Sequence, residues 1–129
     1  MTEQKKKSQL ELRYERLSFI YQALLLDFSL EEINDQITKL NDENDREFLT
    51  NWTGYINSIP SLVSAHIKQG WSWQRLDYLV KALFHLILTE AKYYKTDKPI
   101  LISQAIKLLE SYGDDKAIKL VTAVLNKVL

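Results

Sequence analysis

The chain has 129 residues, of which 46% are hydrophobic and 26% charged, and its 17 Lys/Arg balance its 17 Asp/Glu. That length and mixture fit one globular domain with one core and exclude a disordered chain. With no cysteine in the sequence, disulfides and thiolate metal sites are excluded.

Charge is unevenly spread. Residues 1–50 carry 7 Lys/Arg and 11 Asp/Glu, whereas residues 51–129 carry 10 and 6. The extreme N-terminus runs against the trend with Lys5, Lys6 and Lys7. No long apolar core follows it, as a signal peptide would need. No apolar run is long enough to span a bilayer, because His85 and Glu90 interrupt the best one. A cytoplasmic protein is the expectation.

Residues 1–8 read as a mobile basic tail and residues 9–129 as a single helical domain. The first helix is expected from about Gln9 to Asp27. Leu10, Tyr14, Leu17, Tyr21 and Leu24 line its inner face. Glu11, Arg13, Glu15, Arg16 and Gln22 lie outside. Ser29 and Glu32 have the spacing of a capping box, and Ile33, Ile37 and Leu40 give the second helix its stripe. Asn44 or Asp45 is placed to cap a third helix marked by Phe48, Leu49, Trp52, Ile56 and Ile59. Pro60 suits the first turn of a fourth, which Gly70 ends.

The stretch from Ser72 to Tyr94 is apolar nearly all round. Leu76, Leu79, Val80, Leu83, Leu86 and Ile87 recur at helical spacing, and Phe84 and Leu88 widen the stripe. Such a helix is buried by its neighbours. Ser72 is expected to cap it. Pro99 opens a sixth helix with Ile102, Ala105, Ile106 and Leu109 inward. Tyr112-Gly113 ends that helix. Asp114 or Asp115 caps the last, whose face is Ile118, Val121, Val124, Leu125 and Val128. The expectation is an all-α fold of about seven helices around a central buried one.

The order and spacing of these signals resemble the NusB family of bacterial transcription antitermination factors. Gly70-Trp71-Ser72, Arg75-Leu76, Lys81-Ala82-Leu83 and Glu90 follow the family's central-helix pattern. Ile102-Ser103-Gln104-Ala105-Ile106 stands where the family has Ile-Asn-Glu-Ala-Val. Tyr112-Gly113 stands for Phe-Gly, and Val121-Thr122-Ala123-Val124-Leu125-Asn126-Lys127 for Val-Asn-Gly-Val-Leu-Asp-Lys. The resemblance implies two small helical bundles packed together. It also implies pairing with the small-subunit ribosomal protein NusE and binding of box A in nascent ribosomal RNA, within the RNA polymerase antitermination complex. Neither enzyme activity nor a cofactor is implied. Monomer and homodimer both stay open.

Some positions depart from the family pattern. Members usually open with an arginine-rich run, where this chain has Lys5-Lys6-Lys7 followed by Arg13 and Arg16. Leu25 follows Gln22-Ala23-Leu24 in place of a tyrosine, and His85 stands for an arginine. Lysine offers phosphate a point charge without arginine's planar fork. The candidate RNA-binding set is therefore Lys5, Lys6, Lys7, Arg13, Arg16 and Lys116, with Tyr14 or Tyr21 as a stacking face. The alternative is a solvated tail before an ordinary amphipathic helix, on a NusB-like module that binds the ribosomal-protein partner without reading RNA.

Trp52 and Trp71 are expected in the core, and Arg75 and Glu90 in structural ion pairs. His66 and His85 form no metal-ligand motif, and no metal is expected.

Overall fold

One helix is wrapped by the rest. In this computed structural model, residues 7–112 and 115–129 are described, and among them lie seven α-helices and no strand. They are α1 (Gln9–Leu25), α2 (Leu30–Thr38), α3 (Glu43–Tyr55), α4 (Ile59–Ser64), α5 (Tyr78–Tyr94), α6 (Lys98–Glu110) and α7 (Asp115–Val128). Every residue of α5 from Ala82 to Glu90 is buried. A helix can bury its whole circumference only with neighbours all round, and α5 touches α1, α3, α4, α6 and α7.

These contacts fall into two groups. Helix α2 packs on α3, and α1 and α3 pack on α5. Helix α7 packs on α6 and α4, and all three reach α5. The result is the expected pair of small bundles, with α5 shared between them. The core runs through both, from Leu17, Ile20, Phe48 and Trp52 to Leu101, Leu108, Val121 and Leu125.

Local chemistry sets the helix ends. Ser29 and Glu32 form the full capping box: Ser29 Oγ accepts from the Glu32 N–H at 3.1 Å, and Glu32 Oε1 accepts from the Ser29 N–H at 3.1 Å. Pro60 and Pro99 lie in the first turns of α4 and α6, where a missing N–H costs nothing. Asp42 caps α3 by accepting from the Asp45 N–H at 2.9 Å, two to three positions before the expected caps.

The central helix starts later than expected. Trp73–Arg75 form a 3-10 turn, and Leu76 is extended at ψ 143°. Asp77 then caps α5, accepting from the Val80 N–H at 2.9 Å. Ser72 makes no side-chain cap bond. Extending Leu76 drops its side chain into the core while Asp77 stays at the surface to cap. Helix α4 likewise stops at Ser64, well before Gly70, which sits at φ 97° in the loop beyond.

Helix α1 is rotated from its expected phase. Its buried residues are Arg13, Leu17, Ile20 and Ala23, while Leu10 and Tyr14 are exposed. An arginine read as outward therefore faces the core.

Candidate nucleic-acid interface

The buried face of α1 decides the fate of both candidate arginines. Arg13 donates through Nε to Glu90 Oε1 at 2.8 Å and through Nη2 to Glu90 Oε2 at 2.7 Å. Its Nη1 donates to Gln104 Oε1 at 3.1 Å. Only 6% of Arg13 is exposed. This planar fork matches a carboxylate edge to edge, and its burial keeps it out of reach of a phosphate in solution. Arg13 is therefore a clamp joining α1, α5 and α6, and the expectation that it binds RNA is corrected.

Arg16 is engaged differently, half-buried and held through a single nitrogen. Its Nε donates to Asp45 Oδ1 at 2.8 Å, and its Cζ lies 4.7 Å from the centroid of the Phe48 ring. Its side chain is 12% exposed. It ties α1 to α3. Glu90 takes the expected structural role, but Arg75 is exposed and, among the described residues, donates to the Gly70 carbonyl at 3.2 Å without an ion pair.

Among the residues α1 leaves exposed is one aromatic, Tyr14. Tyr14 and Tyr112 stack with ring centroids 6.1 Å apart and planes within 3° of parallel. Each remains 44% exposed. Tyr112 ends the segment after α6, and Tyr14 lies in the second turn of α1. The pair thus joins α1 to the segment that follows α6. Beneath it, Leu17, Ser18, Tyr21, Leu79 and Tyr112 line a hollow of about 200 Å³. Burial, then a hydrogen bond with Tyr14, push the Tyr112 hydroxyl up to about 12. Tyr112 is therefore a neutral donor at physiological pH, with no charge to repel phosphate. Tyr14 is one of the stacking residues expected from sequence. In the sequence its partner, Tyr112, signals only a helix stop beside Gly113.

Cations flank this pair along the chain. Lys7 precedes Ser8, whose Oγ caps α1 by accepting from the Glu11 N–H at 3.1 Å. Lys7 Nζ lies 2.6 Å from Glu15 Oε1, and that hydrogen bond holds its ammonium above the ordinary lysine range. Both side chains are about half exposed, at 52% and 43%, so a phosphate competes with Glu15 in water. Lys5 and Lys6 lie outside the described residues. Lys116 is exposed in the first turn of α7. Gly113 and Asp114 also lie outside the described residues.

A second basic region lies on α7. Lys116, Lys119 and Lys127 share a groove of about 410 Å³ with Lys68, His66 and Trp71. Trp71 is 51% exposed, which corrects the expectation that it is a core residue. Trp52 is wholly buried as expected, and its Nε1 donates to His85 Nδ1 at 2.9 Å. Burial first, and the nearby Lys81 charge second, lower the His85 pKa to about 3. His85 is thus a neutral acceptor in the core. Among the described residues no group of three or more His, Cys, Asp or Glu is placed to hold a metal ion. No helix among them is long and apolar enough to cross a membrane.

Comparison with known proteins agrees with this architecture. The transcription antitermination protein NusB of Pediococcus pentosaceus is 25% identical over 108 residues, covering 79% of this chain and 81% of that one. The T. maritima NusB structure superposes with a TM-score of 0.78 at 22% identity, covering 96% of this chain and 92% of that one. A crystal structure of the antitermination factors NusB and NusE in complex with dsRNA superposes with a TM-score of 0.72 at 21% identity, covering 93% and 94%. The model of the NusB family matches residues 11–129. Nearly the whole chain is matched, from the first turn of α1 to the last residue, and the chain therefore belongs to the NusB family.

Proposed function

We propose that this chain is an RNA-binding transcription antitermination factor. It pairs with the ribosomal protein NusE and holds box A of nascent ribosomal RNA. The exposed Tyr14–Tyr112 stack carries the reading, because it gives the first helix and the segment that follows α6 a common aromatic surface. Single-stranded RNA is held by stacked bases between phosphate-neutralising cations. Lys5, Lys6, Lys7 and Lys116 are the cations assigned to it, with Tyr14 and Tyr112 under the bases. The solved complex of NusB, NusE and dsRNA, which shares this fold, supports the choice of partners. The factor works in the cytoplasm by assembly and has no catalytic step. RNA and NusE each raise the affinity for the other by the same factor.

Fluorescence anisotropy of a labelled box A RNA, with and without NusE, tests this. Binding is expected at low salt and is expected to tighten when NusE is added. No binding in either case overturns it.

A second reading has one observation in its favour. Arg13 and Arg16 are held in structural ion pairs, so of the candidate set only the lysines remain to meet phosphate. A module that binds NusE without reading RNA would capture NusE yet show no preference for box A over scrambled RNA.

A further inference from the structure

The groove on α7 has a chemistry unlike the tyrosine pair. Its floor is Leu120, Ala123 and Val124, and Trp71 forms a wall. Lys68, Lys116, Lys119 and Lys127 stand around it. No acidic side chain lines it among the described residues, and no ion pair engages any of the four lysines there. Within α7, positions 116, 119, 120, 123, 124 and 127 fall on one stripe. The stripe spans about 16 Å, or three helical turns.

Trp71 is held out over this floor by its loop. Gly70 takes φ 97°, which side-chain-bearing residues rarely adopt. The Trp71 N–H donates to the Lys68 carbonyl at 3.1 Å, and Arg75 donates to the Gly70 carbonyl. The indole is thus presented on a fixed turn. A large aromatic wall over an aliphatic floor is the composition of an interface centre.

We propose that this groove docks an acidic amphipathic helix of a partner protein. Aliphatic anchors at every third or fourth position would fill the floor beside Trp71. Asp or Glu side chains flanking the anchors would meet the four lysines. Charge complementarity and the apolar floor together select this occupant. An RNA would find phosphate partners here, but Leu120, Ala123 and Val124 offer base edges no donor or acceptor. The surface goes beyond the RNA-binding reading and stands on different residues, apart from Lys116 at its edge.

The test uses the full chain and a labelled peptide of about 14 residues, long enough for three turns. Leucines occupy one helical face of the peptide and glutamates the rest. Controls are the same composition scrambled to break the face, and a single-stranded uridine-rich RNA. The amphipathic peptide is expected to bind about tenfold or more tighter than the scrambled one. The double variant Lys119→Glu/Lys127→Glu is expected to weaken it at least about tenfold, with box A binding unchanged. Ala123→Glu, an exposed position, tests the floor alone and is expected to weaken the peptide similarly. Circular dichroism checks that both variants remain folded. Equal binding of the scrambled peptide overturns the proposal, since charge alone would then suffice. So does displacement of the peptide by the uridine-rich RNA together with loss of RNA binding in the double variant. Self-association abolished by Ala123→Glu, seen in sedimentation, would assign the groove to a second copy and overturn it as well.

Discussion

Arg13 and Glu90, 77 positions apart, meet edge to edge in the core with contacts of 2.8 and 2.7 Å. Both are nearly solvent-free, at 8% and 7% side-chain exposure. A buried pair of this kind is not a large source of stability, because desolvation offsets the attraction. Its removal by halves is costly. Arg13→Ala and Glu90→Ala are each expected to lose about 3–5 kcal/mol, since each strands a buried charge. Arg13→Met with Glu90→Leu is expected to recover most of that loss. Urea unfolding midpoints of the three variants check the pattern, and equal losses in the single and double variants would refute it.

His85 makes stability fall on acidification. Its folded pKa lies at about 3, below the ordinary 6.5 of the unfolded chain. Between those values the unfolded state binds a proton that the native state refuses. Stability therefore rises with pH across this window, by up to about 1.4 kcal/mol per pH unit, and His85 adds no slope above it. His85→Asn keeps an acceptor near the Trp52 indole without a titrating ring. Unfolding curves at pH 4.5 and 7.5 are expected to differ less for this variant than for the parent. An unchanged difference would place the acid sensitivity elsewhere.

Removing the stacking surface should weaken RNA without unfolding the chain, since both rings are exposed. Tyr112→Ala and Tyr14→Ala are each expected to cost about 1–3 kcal/mol of box A affinity. Tyr112→Phe keeps the ring and is expected to bind nearly as well. Anisotropy titrations read the affinity, and circular dichroism the fold. Full affinity in both alanine variants would remove the tyrosines from the interface.

Lysine-mediated binding carries a salt signature. If Lys5, Lys6, Lys7 and Lys116 each neutralise one phosphate, log K should fall against log salt with a slope of about −2.8 for a single strand. Lys116→Ala should reduce that slope by about 0.7. Arg16→Gln should leave it alone while lowering the unfolding midpoint, because Arg16 holds Asp45 and Phe48. A slope that changes with Arg16 but not with Lys116 would reverse the assignment of roles.

Periodicity and capping chemistry are local, and they carried most of the fold. Ser29 and Glu32, Pro60, Pro99 and the apolar run of α5 all act within a few residues of themselves. A chain rich in helical stripes, with one segment greasy on every side, has few architectures other than helices wrapped around that segment. Where several local caps compete, sequence is weaker. Asp42 prevailed over Asn44 and Asp45, and Asp77 over Ser72, because burial of Leu76 and Phe48 sets the phase of each helix.

Which charged side chains remain free was decided only in three dimensions. Glu90 inside an apolar stripe signals that some cation must come to it. Arg13 shares a helical face with Leu17 and Ile20, yet nothing local says that this cation is the one. The pairing spans α1 and α5 and exists only once they pack. Trp71 is the converse case. Its composition suggests burial, but Gly70 and the early end of α4 turn it outward beside the lysines of α7. A pattern repeating every 3.6 residues tells how a helix divides its faces. What covers each face, and so which arginine or indole is left for a partner, follows from the long-range contacts alone.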